Sequence, residues 1–132
     1  MRPIGDVLNG IRKKKYKQGF KICRFVGGKY FSAFVDGNVT TYKKNRWTKR
    51  PKKSGPLAVF DTLKNARDFI GMYSYINSDF RQIINCVYKE SKDKILYMTY
   101  EDGDIKKKFF PPRGTMFAEK VKLSNRVHKI DE

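Results

Sequence analysis

Histidine, cysteine and tryptophan are scarce in this sequence, which contains one His, two Cys and one Trp among 132 residues. Cys23 and Cys86 stand far apart and outside any CxxC spacing, which excludes disulfide scaffolds and zinc fingers. A single histidine, His128, excludes a histidine triad or a multi-histidine metal site, and we assign it no role. Neither GxxxxGK(S/T) nor GxGxxG occurs, so the standard phosphate-binding loops are absent and no cofactor is expected.

Long apolar runs are absent as well. No stretch approaches the roughly 20 apolar residues that span a bilayer. The N-terminus carries Arg2 and Asp6 and has no apolar signal-peptide segment. The sequence therefore predicts no membrane partner and a cytoplasmic location, which for a viral protein would be the host cell cytoplasm.

Acidic residues are few. The chain has 13 Asp and Glu residues but 30 Lys and Arg residues, which gives a formal net charge of +17. The excess is uneven, because residues 1–53 hold sixteen basic and two acidic side chains. Self-repulsion of this size destabilises a compact chain and commonly reflects a polyanionic partner. We expect the polyanion site to lie within these first 53 residues.

Two clusters carry most of this charge, one around residues 12–17 and one over residues 43–53, where seven of eleven residues are basic. Trp47 stands within the second cluster. An exposed indole among cations can stack on a nucleic-acid base while lysines neutralise phosphates, whereas an inward-turned indole would anchor the segment onto the core. The candidate nucleic-acid-binding residues are Lys13, Lys14, Lys15, Tyr16, Lys43, Lys44, Arg46, Trp47, Lys49, Arg50, Lys52 and Lys53.

Hydrophobic residues make up 39% of the chain and aromatic residues 14%, which is sufficient for a folded core. An apolar stripe at helical spacing, capped by Asp61 or Thr62, predicts one principal helix over residues 62–71. Alternating or short apolar segments predict strands over residues 20–26, 30–35, 39–42, 57–60, 82–89, 95–100, 105–110 and 115–127.

These elements predict an α+β fold in a single domain over residues 20–132, with a mostly antiparallel sheet of six to eight strands against the principal helix. Residues 1–19 are expected to form a basic N-terminal arm or a short helix. Prolines, glycine and the run of like charge predict a basic loop over residues 43–56.

Acidic side chains offer one alternative chemistry. Glu101, Asp102 and Asp104 could bind Mg²⁺ as a nuclease site does. An Asp-Gly pair between two alternating segments is, however, typical of a hairpin turn. We therefore predict a protein without enzymatic activity and without a metal.

Part of the sequence resembles the three-strand-plus-helix DNA-binding domains of plant ethylene-response factors and of phage integrase arm-binding domains. The resemblance implies that strands enter the major groove of DNA. It covers about a third of the chain, and a long basic insertion separates its strand part from its helix part. The matching positions are Lys29, Tyr30, Ala33, Phe60, Thr62, Ala66 and Phe69.

Two longer segments are similar to a loose class of small uncharacterised phage-type proteins. Residues 56–69 carry the pattern PLxVFDTLxNAxxF, and residues 111–123 carry PPxGTxxAxxVxL. The similarity implies a viral source and brings no activity with it.

The sequence as a whole favours a non-enzymatic protein that binds DNA or RNA through its basic N-terminal half and an aromatic stacking residue. The alternative is a viral anti-defence protein whose cations meet an acidic host protein or a nucleotide signal. Binding to nucleic acid predicts a strong dependence on salt, whereas a protein partner would survive nuclease treatment.

Overall fold

The structure is a computed structural model and describes residues 16–32, 40–51, 55–72, 81–99 and 105–128. These residues form nine strands and one helix. They are β1 (Tyr16–Val26), β2 (Lys29–Ser32), β3 (Thr41–Tyr42), β4 (Trp47–Lys49), β5 (Leu57–Phe60), α1 (Leu63–Met72), β6 (Arg81–Glu90), β7 (Leu96–Thr99), β8 (Ile105–Phe109) and β9 (Thr115–His128).

Seven of the strands form one sheet in which all the strand pairs are antiparallel. Strand β6 lies between β1 and β9, β9 also pairs with β5, and β5 returns to β1 through Phe20 and Phe60. These four strands therefore close into a ring of hydrogen-bonded neighbours. Strand β2 pairs with β1, and β3 pairs with β2, so the sheet extends beyond the ring. Strand β4 pairs with β9 next to the segment that pairs with β5. Strands β7 and β8 form a separate hairpin.

The main core lies on one face of the ring. Side chains alternate between the two faces of a strand, and β6 shows this alternation as buried Cys86 and Tyr88 next to half-buried Val87. The cluster draws on five strands and consists of Cys23, Tyr42, Leu57, Val59, Ile84, Cys86, Tyr88, Ala118, Val121 and Leu123. On the opposite face, the helix covers one part of the sheet, Leu96 of β7 packs against Ala58, and other positions face solvent.

Helix α1 confirms the predicted helix with a shift of one residue. The Thr62 hydroxyl accepts a hydrogen bond from the backbone N–H of Asn65 at 3.0 Å, as an N-cap does. Ala66 and Ile70 are buried against the sheet in a cluster that also contains Ile22, Phe60 and Ile83. Among the described residues no helix has the length and apolar character needed to cross a membrane.

The prediction of mostly antiparallel sheet with one helix is confirmed, but the described part of the chain has more strands than predicted, seven of them in one sheet and two in a separate hairpin. The described residues contain nine strands, and the additional one is β4, inside the segment that was expected to be a loop. The loop prediction failed at Trp47–Lys49 because backbone pairing with β9 supplies the hydrogen bonds there. Residues 1–15 lie outside the described part, whereas residues 16–19 of the expected N-terminal arm belong to β1.

Candidate nucleic-acid interface

Four strands place basic and aromatic side chains in register on the solvent-facing side of the sheet. Tyr16 is paired with Lys89, Lys89 with Lys120, and Lys120 with Lys49. In the adjacent row of the same face, Lys122 stands between Val87 and Trp47. We call this group the cationic–aromatic surface, and its members are Tyr16, Trp47, Lys49, Lys89, Lys120 and Lys122.

The two rings of this surface meet above the strands that separate them. The centroids of Tyr16 and Trp47 lie 5.1 Å apart, with the ring planes tilted by 37°. The Nζ of Lys120 lies 4.5 Å from the Trp47 centroid and 5.4 Å from the Tyr16 centroid, and the Nζ of Lys122 lies 5.9 Å from Trp47. Such cation–π contacts hold the ammonium groups beside the aromatic faces.

Trp47 therefore does not anchor its segment onto the core, which was one of the two alternatives for this residue. Its side chain shares the face opposite to buried Val121 and Tyr88. The relative exposure is 36% for Trp47 and 39% for Tyr16, so both rings keep accessible area beyond their mutual contact. An accessible ring flanked by cations is the arrangement that stacking on a nucleic-acid base requires.

The lysines of the surface have no carboxylate partner among the described residues. Lys17, Lys64 and Lys94 form ion pairs with acidic side chains at 2.7–2.9 Å. None of Lys49, Lys89, Lys120 and Lys122 does so within the described ranges. The Glu119 carboxylate acts electrostatically on Lys89, but it is bonded to Arg50 and Ser91. The lysines therefore outnumber the nearby acidic charge, and the positive local potential attracts anions.

Arg50 has a different environment from these lysines. Its guanidinium donates to Glu119 at 2.9 Å and to Asp93 at 3.2 Å, and it also contacts the Tyr97 hydroxyl at 3.2 Å. Burial opposes the charge of Glu119, but hydrogen bonds from Ser91 and Arg50 outweigh it and lower the pKa of this carboxyl. Arg50, predicted as a phosphate contact, is thus held in a network that fixes the end of β4 against β9.

A shallow cavity of about 340 Å³ lies beside this network. Its lining combines four cations with one carboxylate that is already bonded to Arg50 and Ser91. The balance of charge in the cavity is positive, which suits a phosphate group. The lining residues are Lys49, Arg50, Lys89, Glu119 and Lys120.

The remaining predicted residues lie around or outside the surface. Lys43 and Arg46 are exposed before β4, and the Nζ of Lys44 lies 5.2 Å from the ring of Tyr30. Asn45 turns the chain with a φ of 62°, which Asn tolerates better than most residues, and so directs Trp47 into β4. Outside the described residues lie Lys13, Lys14, Lys15, Lys52 and Lys53.

Lys89, Lys120 and Lys122 were missed by the sequence analysis, which confined the polyanion site to residues 1–53. Antiparallel pairing brings Lys120 and Lys122 beside Trp47 and places Lys89 opposite Tyr16, all from the second half of the chain. A local signal for two of them exists, because Lys120 and Lys122 alternate with the inward positions Val121 and Leu123. The partner of that strand, however, could not be read from the sequence.

Other candidate chemistry finds no support in the described residues. They contain no group of three or more His, Cys, Asp or Glu side chains that could hold a metal ion. Burial raises the pKa of the Cys86 thiol to about 12, so this sulfur is protonated at neutral pH. The predicted hairpin turn with Glu101, Asp102 and Asp104 lies outside the described residues.

Comparison with protein-family models, with curated proteins and with solved structures found no match for this chain.

Proposed function

We propose that this protein is a non-enzymatic nucleic-acid-binding protein that holds a single strand on its cationic–aromatic surface. The observation that carries the proposal is the juxtaposition of Trp47 and Tyr16 with four lysines of the same sheet face, Lys49, Lys89, Lys120 and Lys122. Phosphate neutralisation supplies affinity for any nucleic acid, and ring stacking requires bases that are not enclosed in a duplex.

The electrostatic part of the proposal rests on lysines delivered by three neighbouring strands. Lys49, Lys120 and Lys89 stand in one register row on β4, β9 and β6, and Lys122 follows two residues after Lys120. Adjacent strands are about 4.8 Å apart, so the lysines of this row follow one another at about that spacing. A phosphate backbone that runs across the strands would pass each lysine in turn. Neutralising four phosphates of a single strand would give a salt slope of about −3 in log K against log salt.

The stacking part rests on the two rings. Each stacked base is worth roughly 1–3 kcal/mol, with little dependence on sequence. The lysine contacts to Trp47 place cations beside the ring, where the phosphates that flank a stacked base would lie. Stacking and charge thus act on the same nucleotide.

The proposal is tested through Trp47 itself, since it is the only tryptophan in the chain. Its fluorescence is titrated with single- and double-stranded DNA and RNA at about 50 mM and about 200 mM salt. We expect a change in Trp47 emission on adding single strands, with an affinity that falls steeply at the higher salt. No binding at the lower salt, or an affinity that ignores salt, contradicts the proposal.

A parallel capture from host lysate distinguishes the rival function. The protein is used as bait with and without nuclease treatment. We expect bound material to be lost after nuclease digestion. A protein partner that survives digestion, together with absent nucleic-acid binding in the titration, would instead favour an inhibitor that meets an acidic host protein.

A further inference from the structure

A cleft of about 490 Å³ opens next to the cationic–aromatic surface. The two features share Lys122, which lines the cleft and also lies 5.9 Å from the Trp47 ring. Gln18 and Val87 continue the register row of Lys122 and Trp47 into the cleft. A ligand held on the two rings would therefore have the cleft beside it.

The interior of the cleft offers amide groups above an apolar floor. Asn85 and Gln18 come from neighbouring strands, and Phe20 and Val87 lie between them on the same face. His128 ends β9 there, with its ring 5.8 Å from that of Phe20 and its Nε2 hydrogen-bonded to the Asn85 Oδ1. A flat apolar floor with amides at its rim suits a planar heterocycle.

The amides present complementary atoms. The Asn85 oxygen is bonded to His128, and within the described residues its Nδ2 group has no hydrogen-bond partner, so it can donate to a ligand. The Nδ2 group of Asn45 donates a hydrogen bond to the Asn125 Oδ1 at 3.1 Å. The side-chain oxygen of Asn45 can then accept a hydrogen bond from a ligand. One donor and one acceptor are what the edge of a nucleobase needs.

The charges around the cleft indicate which end suits an anionic group of a ligand and which end suits a neutral group. Asp61 lines the cleft, and its Oδ1 accepts a hydrogen bond from the Asn65 Nδ2 at 2.8 Å. Lys122 lines the cleft where it adjoins the Trp47 ring. A carboxylate repels a phosphate, so an anionic group belongs at the Lys122 side and a neutral group belongs inside. A nucleotide satisfies both requirements when its base enters the cleft and its phosphate stays on the surface.

We propose that the cleft takes up one unstacked base of the bound strand and reads its edge through Asn85, Gln18 and Asn45. The inference rests on the proposed function and deepens it, because it predicts that the protein prefers some bases over others. Stacking and phosphate contacts alone would give little preference.

The test uses the full chain and four DNA homopolymers of equal length, with binding followed by Trp47 fluorescence. We expect the tightest and weakest homopolymers to differ by about fivefold or more, the effect of about one hydrogen bond. Asn85→Ala and Gln18→Ala should each reduce this difference to within about twofold while leaving the salt slope unchanged.

Two further variants keep the test interpretable. Asn85→Asp retains a partner for His128 but replaces the donor by an acceptor, so it should change which homopolymer binds best. Gln82→Ala removes an amide from the opposite face of β6 and should leave the preference intact.

Wild-type protein that binds all four homopolymers equally, or a preference that survives in both Asn85→Ala and Gln18→Ala, would overturn the inference while leaving nucleic-acid binding in place. Wild-type protein that binds none of them, and none of the four corresponding RNA homopolymers, would overturn the proposed function, and this inference with it.

Discussion

The ring of Trp47 lies 5.1 Å from the ring of Tyr16, although their strands β4 and β1 do not pair with each other. Strands β6 and β9 stand between them, and both contribute lysines below or beside the rings. The contact joins the first described residue of the chain to the middle of the basic segment. Tyr16 and Trp47, which lie in two separate segments of the sequence, thereby become parts of one surface.

Removal of either ring should weaken binding to single strands. Trp47→Ala is expected to lower the affinity by about 5- to 150-fold, because the loss of one stacked base costs roughly 1–3 kcal/mol. Binding of this variant is measured by anisotropy of a labelled oligonucleotide, since the intrinsic probe is gone. Tyr16→Ala should show a smaller loss in the same assay, and Trp47→Phe should retain part of the affinity.

The stacking prediction fails if Trp47→Ala binds single strands as tightly as the wild type at equal salt. Both rings are more than a third exposed and lie outside the core clusters, so the thermal midpoint should change little in these variants. A large drop in that midpoint would instead indicate that the rings serve the fold.

Most local elements of this fold could be predicted from the sequence, and so could Tyr16, Trp47 and Lys49 as candidate binding residues. The lysines from β6 and β9 that complete the surface could not. Helix α1 followed from its apolar spacing, and strand β9 from the alternation around Val121 and Leu123. Strand β4 was missed because its stability comes from pairing with Lys120–Lys122 of β9, more than 70 positions away in the chain. Long-range pairing of this kind leaves no local periodicity in a segment of three residues.

The same limit applies to charge. Arg50 and Lys49 are adjacent in a basic run, yet one is bonded to Glu119 and Asp93 and the other has no carboxylate partner among the residues that the structure describes. Composition shows how many cations a segment holds. Only the tertiary contacts distinguish a cation that stabilises the sheet from one that is presented to a ligand.

Acid should weaken the fold through two carboxyl groups near the surface. Hydrogen bonds from Lys17 and Lys94 lower the pKa of Glu90 to about 2. The pKa of Glu119 is also lowered, because bonds from Ser91 and Arg50 outweigh the burial that opposes its charge. A carboxyl whose pKa falls on folding stabilises the native state above its unfolded pKa, and this contribution is lost as the pH falls through the folded pKa.

We expect the urea midpoint of the wild type to decrease between about pH 5 and about pH 2, the window below the usual pKa of Glu. The Glu90→Gln/Glu119→Gln variant should lose less over the same window. Because both carboxyl groups are accessible to solvent, each should contribute less than about 1 kcal/mol to the difference in unfolding free energy between the two proteins. An identical decrease in wild type and variant would show that these ion pairs do not contribute to stability.

Two glycines of the described residues should respond in opposite directions to alanine. Gly114 has a φ of +82°, and an added Cβ would overlap the side chains of Asn65 and Asp61, with the Asn65 Cβ only 2.7 Å away. Gly114→Ala should therefore destabilise the protein by about 2 kcal/mol or more, through backbone strain and steric overlap. The free energy of unfolding in urea measures the effect.

Gly71 is the matched control. It lies in α1, and an added Cβ would meet nothing within 4 Å. Gly71→Ala should stabilise the protein by about 0.5–1 kcal/mol, because alanine loses less backbone entropy in a helix. A Gly114→Ala variant as stable as Gly71→Ala would mean that the junction between β5, α1 and β9 is not arranged as described.

The central claim is that nucleic acid binds to the lysines beside Trp47, and not to positive charge in general. The most direct test compares two double variants that each remove two positive charges. Lys120→Gln/Lys122→Gln changes the surface. The control Lys29→Gln/Lys64→Gln changes one exposed side chain at the start of β2 and one exposed side chain of α1. Neither of these elements pairs with β4, which carries Trp47. The salt dependence of single-strand binding is measured for both variants and for the wild type. We predict that the surface variant lowers the magnitude of the slope by about 1.4, since each phosphate contact contributes about 0.7, and that the control variant keeps the wild-type slope. Equal slopes in the two variants would contradict the claim.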